Sequence, residues 1–204
     1  MTSTADAPPP EPLDAAKSAG SSEPRERTTH PTTPNLLPTF ARVSVVIGAF
    51  AAFVAALVSH DAAATAAPDP KALVQPIVAL AALTGLVLIG TAVARNAAVL
   101  VGKVSMRYYR TYAAGAPPEW IERPARTYMN LLELPVLFYV VCILMIATGR
   151  VDTAQVELAW LFVATRVVHA AIYLAVNHVP SRFASFVTGA ITLTVLWTRF
   201  AMMG

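Results

Sequence analysis

The sequence predicts an all-α fold, a bundle of helices that cross a membrane. Three observations carry this. Hydrophobic residues make up 56% of the 204 residues and charged residues only 13%, whereas a soluble globule carries about 25% charged residues to cover its surface. Mean hydropathy is +0.57. Beyond residue 38 the chain runs in apolar stretches of about 20 residues, the length a helix needs to cross a hydrocarbon core about 30 Å thick. No period-two alternation runs through them, and lipid offers no partner to open backbone, so the spans are helical.

Composition also excludes several functions. A single cysteine, Cys142, rules out a disulfide framework and a multi-cysteine metal site. The four histidines show neither HxxxH nor HExxH spacing, so no metal is expected. The net charge of +3 comes without a dense Lys/Arg block, which points to a membrane surface and no nucleic acid.

The N-terminal stretch 1–36 reads as a disordered tail. Half of the sixteen prolines lie at or before Pro38, among Ser, Thr, Ala and charge, and there is too little apolar surface to offset the entropy of ordering. It does not read as a secretory signal, because the apolar stretch starts late and no compact basic region precedes it. Five spans follow, at 39–59, 72–101, 126–148, 155–176 and 181–203. The first, within 37–60, carries Arg42 near its start. Pro135 inside the third span removes a backbone donor and is expected to kink it. Positive residues mark the cytoplasmic side. Lys103, Arg107, Arg110 and Arg123 in the connection 102–125, with Lys17, Arg25 and Arg27 in the tail, place both inside. Five spans then put the C-terminus outside. Tyr108, Tyr109, Tyr112 and Trp120 read as interfacial anchors.

Polar residues within the spans are the informative ones, since a charge at the bilayer centre costs about 2.5–3.5 kcal/mol on insertion scales. In the third span Arg126, Asn130 and Glu133 fall at i, i+4 and i+7, one stripe of a helix. In the fourth, Arg166, His169, Tyr173 and Asn177 form another. The short connection between these spans makes them antiparallel neighbours whose stripes are expected to meet, with Arg166 neutralising Glu133. Arg182 opens the fifth span and Arg95 lies toward the same end of the second. A crevice with more guanidinium than acid suits a small anionic ligand that also carries an amine for Glu133.

The stretch Arg126-x-x-x-Asn130-x-x-Glu133-x-Pro135, followed by Arg166-x-x-His169-x-x-x-Tyr173, resembles the MAPEG family, the membrane-associated proteins of eicosanoid and glutathione metabolism. The wording NLLELPVLFYVVC and AWLFVATRVVHAAIYL is most similar to its bacterial branch, and the resemblance covers roughly 72–200. It implies a four-helix protomer, which would occupy 71–204 with the helix at 37–60 as an addition ahead of it, a homotrimer, and a multi-pass protein of the bacterial inner membrane. It also implies glutathione as cosubstrate, bound between subunits near the cytoplasmic face, and transferase or peroxidase chemistry on a lipophilic small molecule. By motif position, Arg126, Asn130, Glu133, His169 and Tyr173 would hold glutathione, with Arg95 a candidate for the arginine of the family's first helix. Arg182 would stabilise the thiolate and Arg166 would be the structural ion-pair partner. Met129 stands where well-studied members often have arginine, and Phe183 and Phe186 where some carry hydroxyls. A non-enzymatic binder of a small anion or lipid on the same fold is the alternative. A proton path through Glu133, His169 and Arg166 is less favoured, because no polar stripe continues through the far half of those helices.

Overall fold

The structure is a computed structural model that describes residues 37–60, 68–112 and 117–203; the tail expected at 1–36 lies outside the described residues. Among these there are six α-helices and no strand: α1 (Leu37–His60), α2 (Val74–Leu100), α3 (Met106–Thr111), α4 (Glu119–Thr148), α5 (Thr153–Ala175) and α6 (Val179–Met202). A 3-10 turn, Pro70–Leu73, leads into α2, with Asp69 accepting from the Lys71 amide. Five helices, all but α3, are long and apolar enough to cross a membrane, matching the five expected spans.

Local chemistry sets the helix ends. Asp152 and Gln155 form a reciprocal capping box at the start of α5, satisfying two amides that the first turn leaves without partners. Gly149 ends α4 at φ 68°, a conformation that glycine adopts without steric cost. Asn177 lies just past α5 at φ 51°, where its short polar side chain is tolerated. The connection 102–125 departs from expectation. It contains α3, capped by Ser105, and the first turns of α4, which begins at Glu119 and not near 126. Glu119 pairs with Arg123 at 3.0 Å and Glu122 with Arg126 at 3.8 Å. Such i,i+4 pairs support a charged helical turn that hydropathy alone reads as loop.

The core lies toward the far end of the bundle. Phe138 of α4 stacks on Phe162 of α5 with ring centroids 4.8 Å apart. Met145, Leu158, Leu196 and Leu80 close around them, fully buried. Outward faces carry Val78, Leu86, Ile89 and Val93 on α2 and Val136, Leu137, Val140 and Ile143 on α4, all well exposed. An apolar surface so continuous suits lipid, not water. The protein is therefore an integral, multi-pass membrane protein.

Candidate functional site

The C-terminal end of α2, the start of α4, the end of α5 and the start of α6 meet at one end of the bundle. There they enclose an open cavity of about 610 Å³. Five of the residues singled out in the sequence line it: Arg95, Arg126, Asn130, Tyr173 and Arg182. Glu122 and Tyr112 also line it. Both fall in the stretch read as connecting loop, where the sequence pattern left Glu122 unmarked and marked Tyr112 only as an interfacial anchor. The lining sets three guanidiniums against one carboxylate.

Arg182 is the most constrained of the three. Its guanidinium carbon lies 3.6 Å from the centre of the Tyr173 ring, within cation–π range. Its Nη1 donates to Asn177 Oδ1 at 2.8 Å, and Asn177 Nδ2 donates to Glu119 Oε1 at 2.7 Å. Glu119 is in turn paired with Arg123. The left-handed turn at Asn177 thus ties the first turn of α4 to that of α6 and fixes the Arg182 fork. Arg182 Nε is buried and has no hydrogen-bond partner among the described residues. Arg95 faces the Tyr109 ring, 5.6 Å from its centre, and its Nε is likewise buried without a partner. Burial holds the Tyr109 phenol above the ordinary tyrosine range, so it stands neutral beside that cation. Asn130 Nδ2 donates to the Arg126 carbonyl at 3.0 Å.

Three predicted residues lie elsewhere. Glu133 is exposed on α4 and does not line the cavity. Arg166 is fully buried, and its Nη2 donates to the carbonyls of Ser185 at 2.7 Å and Phe186 at 3.4 Å. Its guanidinium lies over the rings of Phe162 and Phe186. The expected Glu133–Arg166 pair is therefore not made: Glu133 is exposed on α4, while Arg166 gives its Nη2 to α6 and keeps Nε and Nη1 buried without a hydrogen-bond partner among the described residues. His169 is buried beside it, with Nδ1 2.9 Å from Ser185 Oγ. Ser185 Oγ donates to the Arg182 carbonyl at 2.9 Å, so the imidazole is the donor at Nδ1. Arg166 and His169 thus face α6, while Tyr173 and Asn177 of the same stripe reach α4 residues, so the expected seam forms only in the half nearest the cavity. Tyr108 is buried, not a free anchor, whereas Trp120 is exposed as an anchor would be. Cys142 is fully enclosed among apolar side chains. No group of His, Cys, Asp and Glu among the described residues could hold a metal.

The geometry is that of a membrane protein with a cationic crevice at one end of a helix bundle. Residues 73–202 match the MAPEG family, and the chain belongs to that family. Searches of curated proteins and of solved structures give no match. The helix α1 precedes the matched region.

Proposed function

We propose that the chain binds glutathione in the cavity between α2, α4, α5 and α6 and uses its thiolate on a lipophilic substrate, as a transferase or peroxidase. The observation that supports this most directly is the convergence of Arg95, Arg126 and Arg182 on one cavity with a single acid, Glu122. A tripeptide with two carboxylates and one amine complements that set. Glu122 takes the amine-binding role that the sequence suggested for Glu133. Positive charge at Arg182 would lower the pKa of a thiol held beside it. The thiol proton passes to solvent, the thiolate sulfur attacks an electrophilic carbon, and the new S–C bond forms as the displaced electron pair leaves with its group. Tyr173 and Asn177 hold Arg182 in place for this, and Asn130 offers its amide to the ligand.

The homotrimer belongs to the same proposal. Glu133 and Arg126 lie exposed on a helix whose neighbouring outward residues are apolar. A carboxylate facing hydrocarbon is costly, so a second copy covering this face is supported, and Glu133 would then reach a cavity completed by its neighbour. An N-terminus in the cytoplasm is supported by the basic residues clustered at the cavity end, Lys103, Arg107, Arg110 and Arg123, and a bacterial inner membrane enters the proposal through the sequence resemblance alone. A second reading, a binder of a small anion without thiol chemistry, is favoured by the prior engagement of Arg182, whose Nη1 is committed to Asn177 and whose face lies on Tyr173.

Calorimetry and thiolate absorbance with glutathione in detergent separate the two. The expected result is binding with a thiolate band that disappears in Arg182→Ala while the melting temperature stays close to native. Binding with no thiolate band in the native protein would select the binder. Absence of glutathione binding would remove both glutathione and its chemistry.

A further inference from the structure

A second crevice, of about 670 Å³, lies between α1, α5 and α6. It owes one wall to α1, the helix outside the family match. It runs from Thr39, Arg42, His178 and Ser181 at one end to Phe50 and Leu161 at the other. Its long walls are apolar in effect as well as in composition. Val43, Val46, Val168 and Ile172 line it directly. Thr165, Ser185 and Thr188 also line it, but each hydroxyl is already given to a carbonyl of its own helix. They therefore present little polarity to an occupant.

Charge is confined to one end. Arg42 and His178 are part of the lining, and no carboxylate is. Arg42 is exposed and has no acidic partner among the described residues. The arginine sits near the N-terminal end of α1, and His178 immediately precedes α6. Both therefore stand at helix ends, at headgroup depth, while the apolar walls run inward from them. An apolar slot open to the bilayer with a guanidinium at its mouth is complementary to an amphiphile of one kind, with a hydrocarbon tail and an anionic head.

We propose that this crevice is a binding site for an anionic phospholipid. One acyl chain lies between α1, α5 and α6, and the headgroup phosphate is held by Arg42, with His178 beside it. This does not rest on the glutathione reading. The two sites occupy opposite sides of the first turns of α6: Ser181 and Ser185 face the lipid crevice, and Arg182 lines the other cavity. The lipid would thus buttress the turn that carries Arg182.

The test uses the full chain in nanodiscs of equal phosphatidylglycerol and phosphatidylcholine. Retained lipid is measured by native mass spectrometry after release. Phosphatidylglycerol should be enriched about fivefold in the native protein, the factor expected for one basic residue at a charged lipid surface. Arg42→Ala should bring the two lipids to parity. Lys103→Ala, a basic residue outside the crevice, should leave the enrichment intact. Val46→Trp, at a position 55% exposed, should fill the slot and reduce retention of both lipids without unfolding the bundle. Equal retention by the native protein would overturn the proposal. So would unchanged enrichment in Arg42→Ala, or displacement of phosphatidylglycerol by added palmitate, which would assign the crevice to a free fatty acid.

Discussion

At the end of the bundle where α4 passes into α5, Arg199 meets Asp152; at the opposite end, Arg95, Arg126 and Arg182 converge on a cavity with one carboxylate. Both regions hold guanidinium near the edge of a membrane-spanning bundle, yet they are built differently. Arg199 donates through Nε, at 3.2 Å, and Nη2 to the same Asp152 oxygen, and the other Asp152 oxygen caps α5. The acid there serves two helices at once. In the cavity, the interactions that hold Arg182 come from an amide and an aromatic face. An amide and a ring orient a guanidinium without neutralising it, and so leave its charge for something else. The comparison separates arginines that close the fold from arginines that keep a charge available.

The largest effect should come from the closed end. Asp152→Ala removes a helix cap, at about 1 kcal/mol, and two hydrogen bonds to a charged group that is about one-quarter exposed. Together these should cost roughly 2–3 kcal/mol. Thermal unfolding in detergent would register this as a lower melting temperature, with the ligand properties of the far cavity unchanged. Asp152→Asn keeps a side-chain oxygen for the cap but loses the charge, and should recover about half of the loss. Equal destabilisation by the two variants would show that the ion pair, and not the cap, carries the effect.

Arg166 is an intermediate case, a buried guanidinium held by backbone carbonyls. It fits because Gly189 has no side chain. A Cβ there would lie 2.6 Å from Arg166 Cζ and nearer still to Nη2. The head cannot easily retreat, since it lies over the Phe162 and Phe186 rings and donates to the Ser185 carbonyl. Gly189→Ala should destabilise by about 2 kcal/mol, the usual scale of overpacking. The double variant Gly189→Ala with Arg166→Met should be less affected than the glycine change alone. Additive losses would show that the two residues are not coupled.

Much of this arrangement was legible in the sequence. The five spans follow from apolar runs of sufficient length, and the convergence of Arg95, Arg126, Asn130, Tyr173 and Arg182 follows from their common level along antiparallel helices. Glu133 and Arg166 show where the inference stops. Periodicity states which residues share a face, but not which neighbour that face meets. Arg166 turned toward α6 because Gly189 opens room for it and α6 offers its carbonyls, neither of which is encoded in the α5 stripe. Glu122 went unmarked for a different reason. Hydropathy treats the charged turn before residue 126 as loop, although its i,i+4 ion pairs make it helical.

Smaller effects probe the open end. Arg182→Lys keeps the charge but loses the planar fork and its stacking on Tyr173. Glutathione affinity should fall about five- to tenfold, on the scale of one cation–π contact, with little change in melting temperature. A large fall in stability would mean that Arg182 belongs with Arg199, as a closing residue.

Tyr173→Phe separates the ring from its hydroxyl and should have the smallest effect of all. The ring face that supports Arg182 is retained, and in the structure Tyr173 engages through that face. Stability should change by less than about 0.5 kcal/mol, within the range of a substitution that preserves packing. Glutathione affinity should stay within about threefold of native, whereas Tyr173→Ala, which removes the platform, should match or exceed the loss in Arg182→Lys. If Tyr173→Phe instead abolishes the thiolate band while Arg182 remains in place, the phenol itself meets the sulfur. The charge kept open at this end would then be shared between Arg182 and a hydroxyl donor.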